Sequence, residues 1–550
     1  MAKSAPASAQ DDPSRPELSG TLVDKQGQPI PAATIRIYAG AAEEPLVETE
    51  SQEDGSWLVH LPENPTGSVR VAVERAHYEP FRYQLSAAEM EHLVRDGVFS
   101  LQEITLENHI SVGFWVAGAT FVLVLVVIAL EKLRNTLAAL LGVSIVFAVT
   151  FIGGAISQEF FILDFERALS YINWEVIFLV MGMMIVVGII EGTGIFQWLA
   201  FWAYRISRGR ISWLLVVLIV ITSLASALLD NVTTMLLMAP ISIQIALALD
   251  ISPLALLVPE ILASNVSGIS TLIGTPTNIL IGAYADISFN DFLINETPGV
   301  LAAMVAMTVV VLFYYRGEFR QHSGGISPVL YERLQANAQI KDPVALQRSG
   351  MVFTGMLVFF AIGESLHLVP AVTALVGATA LLMWVEPDIE KMLRAVDWTT
   401  LVFFMALFML VGAVQEVGIL GLLAGAMGQV IGDSAVLGIV VLVGGVGLLS
   451  FAIANVPLAA AMLPVVRFLS RGIPGVGNHA LYYALSVGAA MGGNGFLIGG
   501  ETNLMTAGIA ERAGYPITFM SFLKIGVPVT LLTLATGAVW LFLRFVVLGS

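Results

Sequence analysis

From about residue 110 onward the chain is a succession of long apolar stretches separated by short polar ones. Gly113–Leu130, Val176–Ile190, Leu301–Phe313, Leu401–Val414 and Val527–Leu543 approach or exceed the roughly 18–20 apolar residues that cross a bilayer as a helix, once small neighbours are counted. The earlier part follows another pattern. Thr34–Tyr38 (TIRIY) and Ser68–Glu74 (SVRVAVE) alternate apolar and polar positions, the period of a half-buried strand, and Asp54–Val59 (DGSWLV) is a turn running into one. The pattern predicts a polar, disordered leader at 1–16, a small β domain at 17–108, and an all-α polytopic membrane region beyond.

The membrane region contains itself twice. Asn173-Trp174 opens the run NWEVIFLVMGMMIVVGIIEGTGIF, and Asp397-Trp398 opens DWTTLVFFMALFMLVGAVQEVGIL, 224 residues later. That offset pairs Gly188 with Gly412, Gly194 with Gly418, Asn231 with Asn455 and Pro240 with Pro464. One inserted residue later, Gly268 pairs with Gly493, Gly274 with Gly499, Thr277 with Thr502 and Asn278 with Asn503. Duplicated apolar segments broken by glycine at matching places are a mark of secondary transporters. The divisions that follow are N-terminal membrane helices at 109–170, a first transport repeat at 171–315, a polar cytoplasmic linker at 316–349, linking helices at 350–395 and a second repeat at 396–548. Five crossings separate the two Trp residues, so the copies run in opposite senses. Whether 211–249 and 435–470 are re-entrant hairpins or pairs of full spans does not alter that parity.

Basic residues near span ends set the orientation. Lys132 and Arg134, then Arg205, Arg208 and Arg210, then Arg316, Arg320, Arg333, Lys341 and Arg348 all fall on one side, taken as cytoplasmic; Arg467 and Arg471 count against it. This makes an integral protein of the cell or inner membrane, with the β domain and the acidic 158–167 loop extracellular or periplasmic. Ala7-Ser8-Ala9 looks like a processing site, and a plain flexible leader reads as well.

Composition then removes whole classes of function. Residues 1–109 hold 8 Lys/Arg against 18 Asp/Glu, and the chain carries −16 in all. An acidic head repels nucleic acid and anionic lipid. There is no cysteine, so thiolate metal sites and thiol nucleophiles are absent. No Gly-Lys dipeptide occurs, hence no phosphate-binding loop of the ATPase kind. No nucleophile–base pair or covalent cofactor site stands out, and the seven histidines lie outside the polar breaks. The expectation is a transporter and not an enzyme.

Four polar breaks carry the candidate chemistry. The first pair is Leu228–Pro240 (LLDNVTTMLLMAP) and Ala452–Pro464 (AIANVPLAAAMLP). The second is Ala263–Leu280 (ASNVSGISTLIGTPTNIL) and Ala489–Met505 (AAMGGNGFLIGGETNLM). Backbone at membrane depth leaves the helix only where protein or a polar cavity satisfies it. A glycine-rich break followed by Thr-x-Asn offers carbonyls plus side-chain oxygens at one point, which desolvating a small cation requires. The half-helix beginning after each break favours an anionic group. The candidate ion- and substrate-binding residues are Asp230, Asn231, Val232, Thr233, Gly274, Thr275, Pro276, Thr277, Asn278, Asn455, Asn494, Gly499, Glu501, Thr502 and Asn503. Of these, Asn231, Asn278, Asn455 and Asn503 are the candidate Na⁺ ligands. Asp230 would carry the coupling charge, with a helix cap over Thr233 and Thr234 as the plain alternative. Glu260 reads as a gate or a residue near the surface. Glu191 and Glu416 read as solvated span ends.

These motifs, with GGNGFLIGGETNLMTAGIAERAGYPITFMSF, resemble the pink-eyed-dilution P protein and arsenite permease branch of the ion transporter superfamily, which also holds sodium-coupled dicarboxylate transporters and sodium/proton antiporters. The resemblance covers roughly residues 110–545. It implies a homodimer with a scaffold part and a transport part, moving as an elevator, each repeat supplying one re-entrant hairpin and one unwound helix. The hairpin tips would be Asp230-Asn231-Val232 and Ala454-Asn455-Val456. The unwound loops would be Gly274–Asn278 and Gly499–Asn503. Two departures matter. Gly-Asp-Pro-Pro-Asn of that branch is here Gly274-Thr275-Pro276-Thr277-Asn278, and the dicarboxylate branch's Ser-Asn-Thr tips lack their hydroxyls. Separately, SGTLVDKQGQPIPAATIRIY resembles a carboxypeptidase-regulatory or transthyretin-like β-sandwich, a spacer module without chemistry. The function expected is a secondary active transporter coupling Na⁺ or H⁺ to a small ion or anionic solute. A passive, chloride-like anion channel on the same scaffold is the alternative.

Overall fold

The computed structural model describes residues 16–549, apart from 26, 28, 41, 43, 62–67, 131–132, 209, 322–331, 333–334, 337 and 474–478. The leader at 1–15 and the basic residues Lys132 and Arg333 lie outside the described residues.

The N-terminal part is built from β1 (Glu17–Asp24), β2 (Thr34–Ala39), β3 (Val47–Glu50), β4 (Ser56–His60), β5 (Val69–Glu74), β6 (Phe81–Gln84) and β7 (Val98–Leu106). They form two sheets, ordered β4-β1-β7 and β3-β2-β5-β6. Period-two alternation sends Leu18, Leu22, Ile35, Ile37, Val71, Val73 and Trp57 inward from both sheets into one shared core. β1 lies parallel to β7 and slips register between Gly20 and Thr21. The turn before β4 is closed by Ser56 N–H donating to Asp54 Oδ1 at 2.9 Å.

Among the described residues, nine helices are long and apolar enough to cross a membrane. The two copies match element by element. Trp174–Gly192 and Trp398–Glu416 each run 19 residues, and Ile195–Ser207 and Ile419–Ile431 each run 13. Between them the chain turns on Gly194 and Gly418, at φ of 83° and 86°, a left-handed conformation that costs glycine least. Two helical hairpins follow, 211–228 with 231–248 and 435–449 with 455–472. Next come two broken helices: Leu254–Ser267 resuming at Pro276–Ala285, and Ala480–Gly492 resuming at Glu501–Arg512. Thr297–Tyr314 and Phe519–Leu541 close the copies. Tyr171, just ahead of the Trp174 helix, bonds Glu416 at the end of the Trp398 helix, so one begins where the other finishes.

The β domain docks on that same face. Arg75 beyond β5 and Arg167 of the 165–170 helix each reach Glu416 at 2.6 Å, joined by the Tyr171 hydroxyl at 2.5 Å. Asn108 packs on Gly418, and His77 Nε2 meets the Ile162 carbonyl at 2.7 Å. Glu416 is therefore not the solvated span end that the sequence suggests. It is 8% exposed because two arginines from other segments cover it. Glu191 is exposed.

This interface has a pH dependence of definite sign. Burial pulls the His77 imidazole below its ordinary 6.5, the Ile162 carbonyl pulling the other way. The folded state prefers the neutral ring, so stability is complete above about pH 6.5 and is lost as pH falls below it. Melting followed between about pH 7.5 and 5.5 should show a decline, and His77→Gln should flatten it.

Candidate functional site

Each broken helix loses its regular hydrogen bonding at a glycine-rich stretch, and in both copies the stretch is pressed against the neighbouring hairpin. At Gly274 a methyl group would lie 2.3, 2.7 and 3.0 Å from the carbonyl oxygens of Gly268, Ser226 and Ala227. At Gly499 it would lie 2.7, 2.7 and 2.9 Å from those of Gly493, Ser450 and Phe451. These are the same positions in the two repeats. Ser226 Oγ donates to Ser264 O at 2.8 Å and Ser450 Oγ to Ala489 O at 2.6 Å, again equivalent. Each hairpin is thus stapled to its broken helix beside a cluster of three carbonyl oxygens. Gly274→Ala and Gly499→Ala force a methyl onto backbone that no rotamer change clears. Each should cost about 1–3 kcal/mol, read as a lower melting temperature in detergent. Alanine at Gly192, where nothing lies within 4 Å, is the control.

The asparagines after the breaks are locked by the carbonyls. Asn278 Nδ2 donates to Ile269 O and Thr271 O at 2.9 and 3.0 Å, and Asn503 Nδ2 to Gly493 O and Phe496 O at 2.8 and 3.1 Å. Both amides are fully buried, so these bonds fix which way each amide oxygen points. Asn278 Oδ1 accepts from Ser486 Oγ at 2.8 Å. Asn503 Oδ1 accepts from Asn265 Nδ2 at 2.8 Å. Asn265 Nδ2 also donates to Asn494 Oδ1 at 2.8 Å, and its own oxygen accepts from Asn231 Nδ2 at 2.9 Å. Asn231, Asn265, Asn494 and Asn503 therefore form one buried amide chain crossing from the first repeat to the second. Beside it, the Thr277 and Thr502 hydroxyls are buried with no hydrogen-bond partner among the described residues. Leaving a buried hydroxyl unpaired costs about 1–3 kcal/mol, and here the same cost recurs at equivalent positions of both copies.

Not every expected residue joins. Asp230 is the cap of the second hairpin arm: its Oδ1 accepts from Thr233 N–H at 2.9 Å, with the Val232 amide also turned to the carboxylate. Thr275 caps the resumed helix through Asn278 N–H at 3.1 Å, and Pro276 fills its first turn. Asn455 does not repeat what Asn231 does. Its oxygen is taken by the Val456 amide at 3.0 Å, because the place matching Asn265 is Ala490 and offers no partner. Glu501 accepts from Asn135 Nδ2 at 2.9 Å, a partner outside the amide chain. Glu260 is fully buried and not exposed at the surface.

Asn265, Ser226, Ser264 and Ser486 were missed as site residues. Asn265 carried a signal, an amide in the largely apolar 254–267 helix. Glu296 was missed too: it is 2% exposed and accepts from Ser486 Oγ at 3.1 Å. No cluster of three or more His, Cys, Asp or Glu suited to a metal ion occurs among the described residues. A cation held here would take carbonyl, amide and hydroxyl oxygens, the donor set of an alkali ion.

A family model described as citrate transporter matches residues 125–488. A 46 kDa membrane protein of Mycobacterium leprae is 35% identical over 79% of this chain and 99% of its own. An uncharacterised transporter of Synechocystis is 32% identical over 76% of this chain and 95% of its own. The human P protein is 29% identical over 81% of this chain and 61% of its own. The crystal structure of the Alcanivorax borkumensis YdaH transporter shares the fold, with a TM-score of 0.51, 17% identity, and coverage of 75% of this chain and 99% of that one. The molecule is an integral membrane transporter and not an enzyme. It belongs to the citrate transporter family, within the ion transporter superfamily.

Proposed function

We propose that this protein is a secondary active transporter in which sodium ions or protons, bound at the two breaks, drive a small anionic solute through an elevator-type movement. The observation that carries the reading is the paired geometry: three converging carbonyls, a locked asparagine and an unpartnered threonine hydroxyl at equivalent places in both repeats. Such groups replace an ion's water shell without bringing charge. The resumed helices Pro276–Ala285 and Glu501–Arg512 begin at the same points, and their N-terminal amides suit an anion. In this reading the hairpins are re-entrant, the β domain is extracellular or periplasmic, and the protein works as a homodimer.

The test is flux in proteoliposomes holding the full chain, with labelled citrate first because the family carries that description. Uphill accumulation under an imposed sodium or proton gradient is expected. Purely downhill current would replace the reading with the channel. Asp230→Asn separates charge from capping, since asparagine caps a helix about as well as aspartate. Melting should hold steady while ion dependence is lost; unchanged ion dependence would remove Asp230 from the coupling role.

A further inference from the structure

Besides Glu296, another buried acid takes no part in the amide chain. Glu260 sits on the 254–267 helix, 0% exposed, five residues before Asn265. Its two carboxyl oxygens lie 2.8 and 2.9 Å from Ser242 Oγ, on the second arm of the first hairpin. A serine hydroxyl has one hydrogen and serves one oxygen; a proton on the carboxyl lets the other oxygen donate back to Oγ. An ionised carboxylate in this position, with a single hydroxyl against it, would bear nearly the whole cost of burial.

The second repeat supplies an internal control. The positions matching Ser242 and Glu260 are Val466 and Leu485, both fully buried in the equivalent helices. The architecture closes there with an apolar pair, so packing does not require the acid.

The surroundings are poor in charge. The 211–228 and 231–248 helices carry none along their lengths. Tyr482 and Tyr483 come from the 480–492 helix, Glu501, Glu511 and Arg512 from the 501–512 helix, Lys524 from the 519–541 helix and Tyr314 from the 297–314 helix. Tyr315 and Glu318 meet the start of the Glu260 helix, at Leu254 and Ser252. Among the described residues, the Ser242 hydroxyl is the side chain that hydrogen-bonds the carboxyl.

We propose that Glu260 is a proton-binding site of the transport cycle, protonated while the first hairpin is packed on the broken helix and giving up its proton to water when the two separate. The carboxylate takes up one H⁺ to become the neutral acid, and the moving unit loses one negative charge. This rests on the transporter reading and deepens it by naming the proton as a coupling ion.

Infrared difference spectroscopy on the purified full chain reads the proton directly, whether or not transport is coupled. A protonated-carboxyl band at neutral pH should vanish in Glu260→Gln; a band untouched by that substitution, or none in the wild type, overturns the proposal. Ser242→Val with Glu260→Leu copies the second repeat, should fold and melt like the wild type, and should lose the same band. In proteoliposomes, accumulation driven by a pH gradient should fall in Glu260→Gln to the level seen with the gradient collapsed, and retained accumulation overturns the coupling role. A wild type that accumulates nothing under any gradient, yet shows the band, defeats the transporter reading instead.

Discussion

Asn265→Ala should abolish transport and lower stability more than any other single change in the amide chain. Asn265 donates to Asn494 and Asn503 and accepts from Asn231, so its removal strips a partner from three buried amides at once. Each orphaned group costs about 1–3 kcal/mol, giving a total of roughly 3 kcal/mol or more before water refills the space. The effect on function has a separate cause. Asn494 and Asn503 both lose their bonds to Asn265, leaving Asn494 Nδ2 on Leu262 O to tie the second break to the first repeat, so the half-sites share a looser geometry. Melting in detergent and flux in proteoliposomes check the two parts. Asn455→Ala, whose oxygen meets only a neighbouring backbone amide, should be much milder. Equal losses for the two variants would show that the amide chain does not set the site.

Glu416→Ala should release the β domain from the membrane region. It leaves Arg75 and Arg167 facing each other with their shared carboxylate gone, and their side chains are only 14% and 28% exposed. Removing one member of a buried pair costs about 3–5 kcal/mol, reduced here by the partial exposure of Arg167. Protease cleavage in the 107–111 connection should accelerate strongly. Glu416→Gln keeps some hydrogen bonding and should fall between. Cleavage at the wild-type rate would mean that Asn108 and His77 hold the domain by themselves.

How far the sequence reaches can be judged residue by residue. Hydropathy and the 224-residue offset made the membrane helices legible, along with the breaks at Gly274 and Gly499 and their asparagines. These signals are local, because glycine and amide side chains inside apolar runs announce themselves. Partnership was not legible. Glu416 looked solvated because its arginines lie 341 and 249 residues away. Nothing local marked Glu296, because its partner Ser486 lies 190 residues away. Symmetry also misled: Asn455 matches Asn231 in sequence, but Ala490 stands where Asn265 would be needed. A repeat shows which positions correspond, and the chemistry depends on what each position meets.

The anchoring of the β domain gives the molecule a built-in pointer. Arg75 grips the tip of the Trp398 helix through Glu416, a position that Gly192 takes at the matching tip of the first copy. Some ninety water-facing residues are therefore coupled to one half of a near-symmetric body. A dye placed at exposed Leu58 on β4 would read the proposed elevator movement of that half from a site far in sequence from the two breaks.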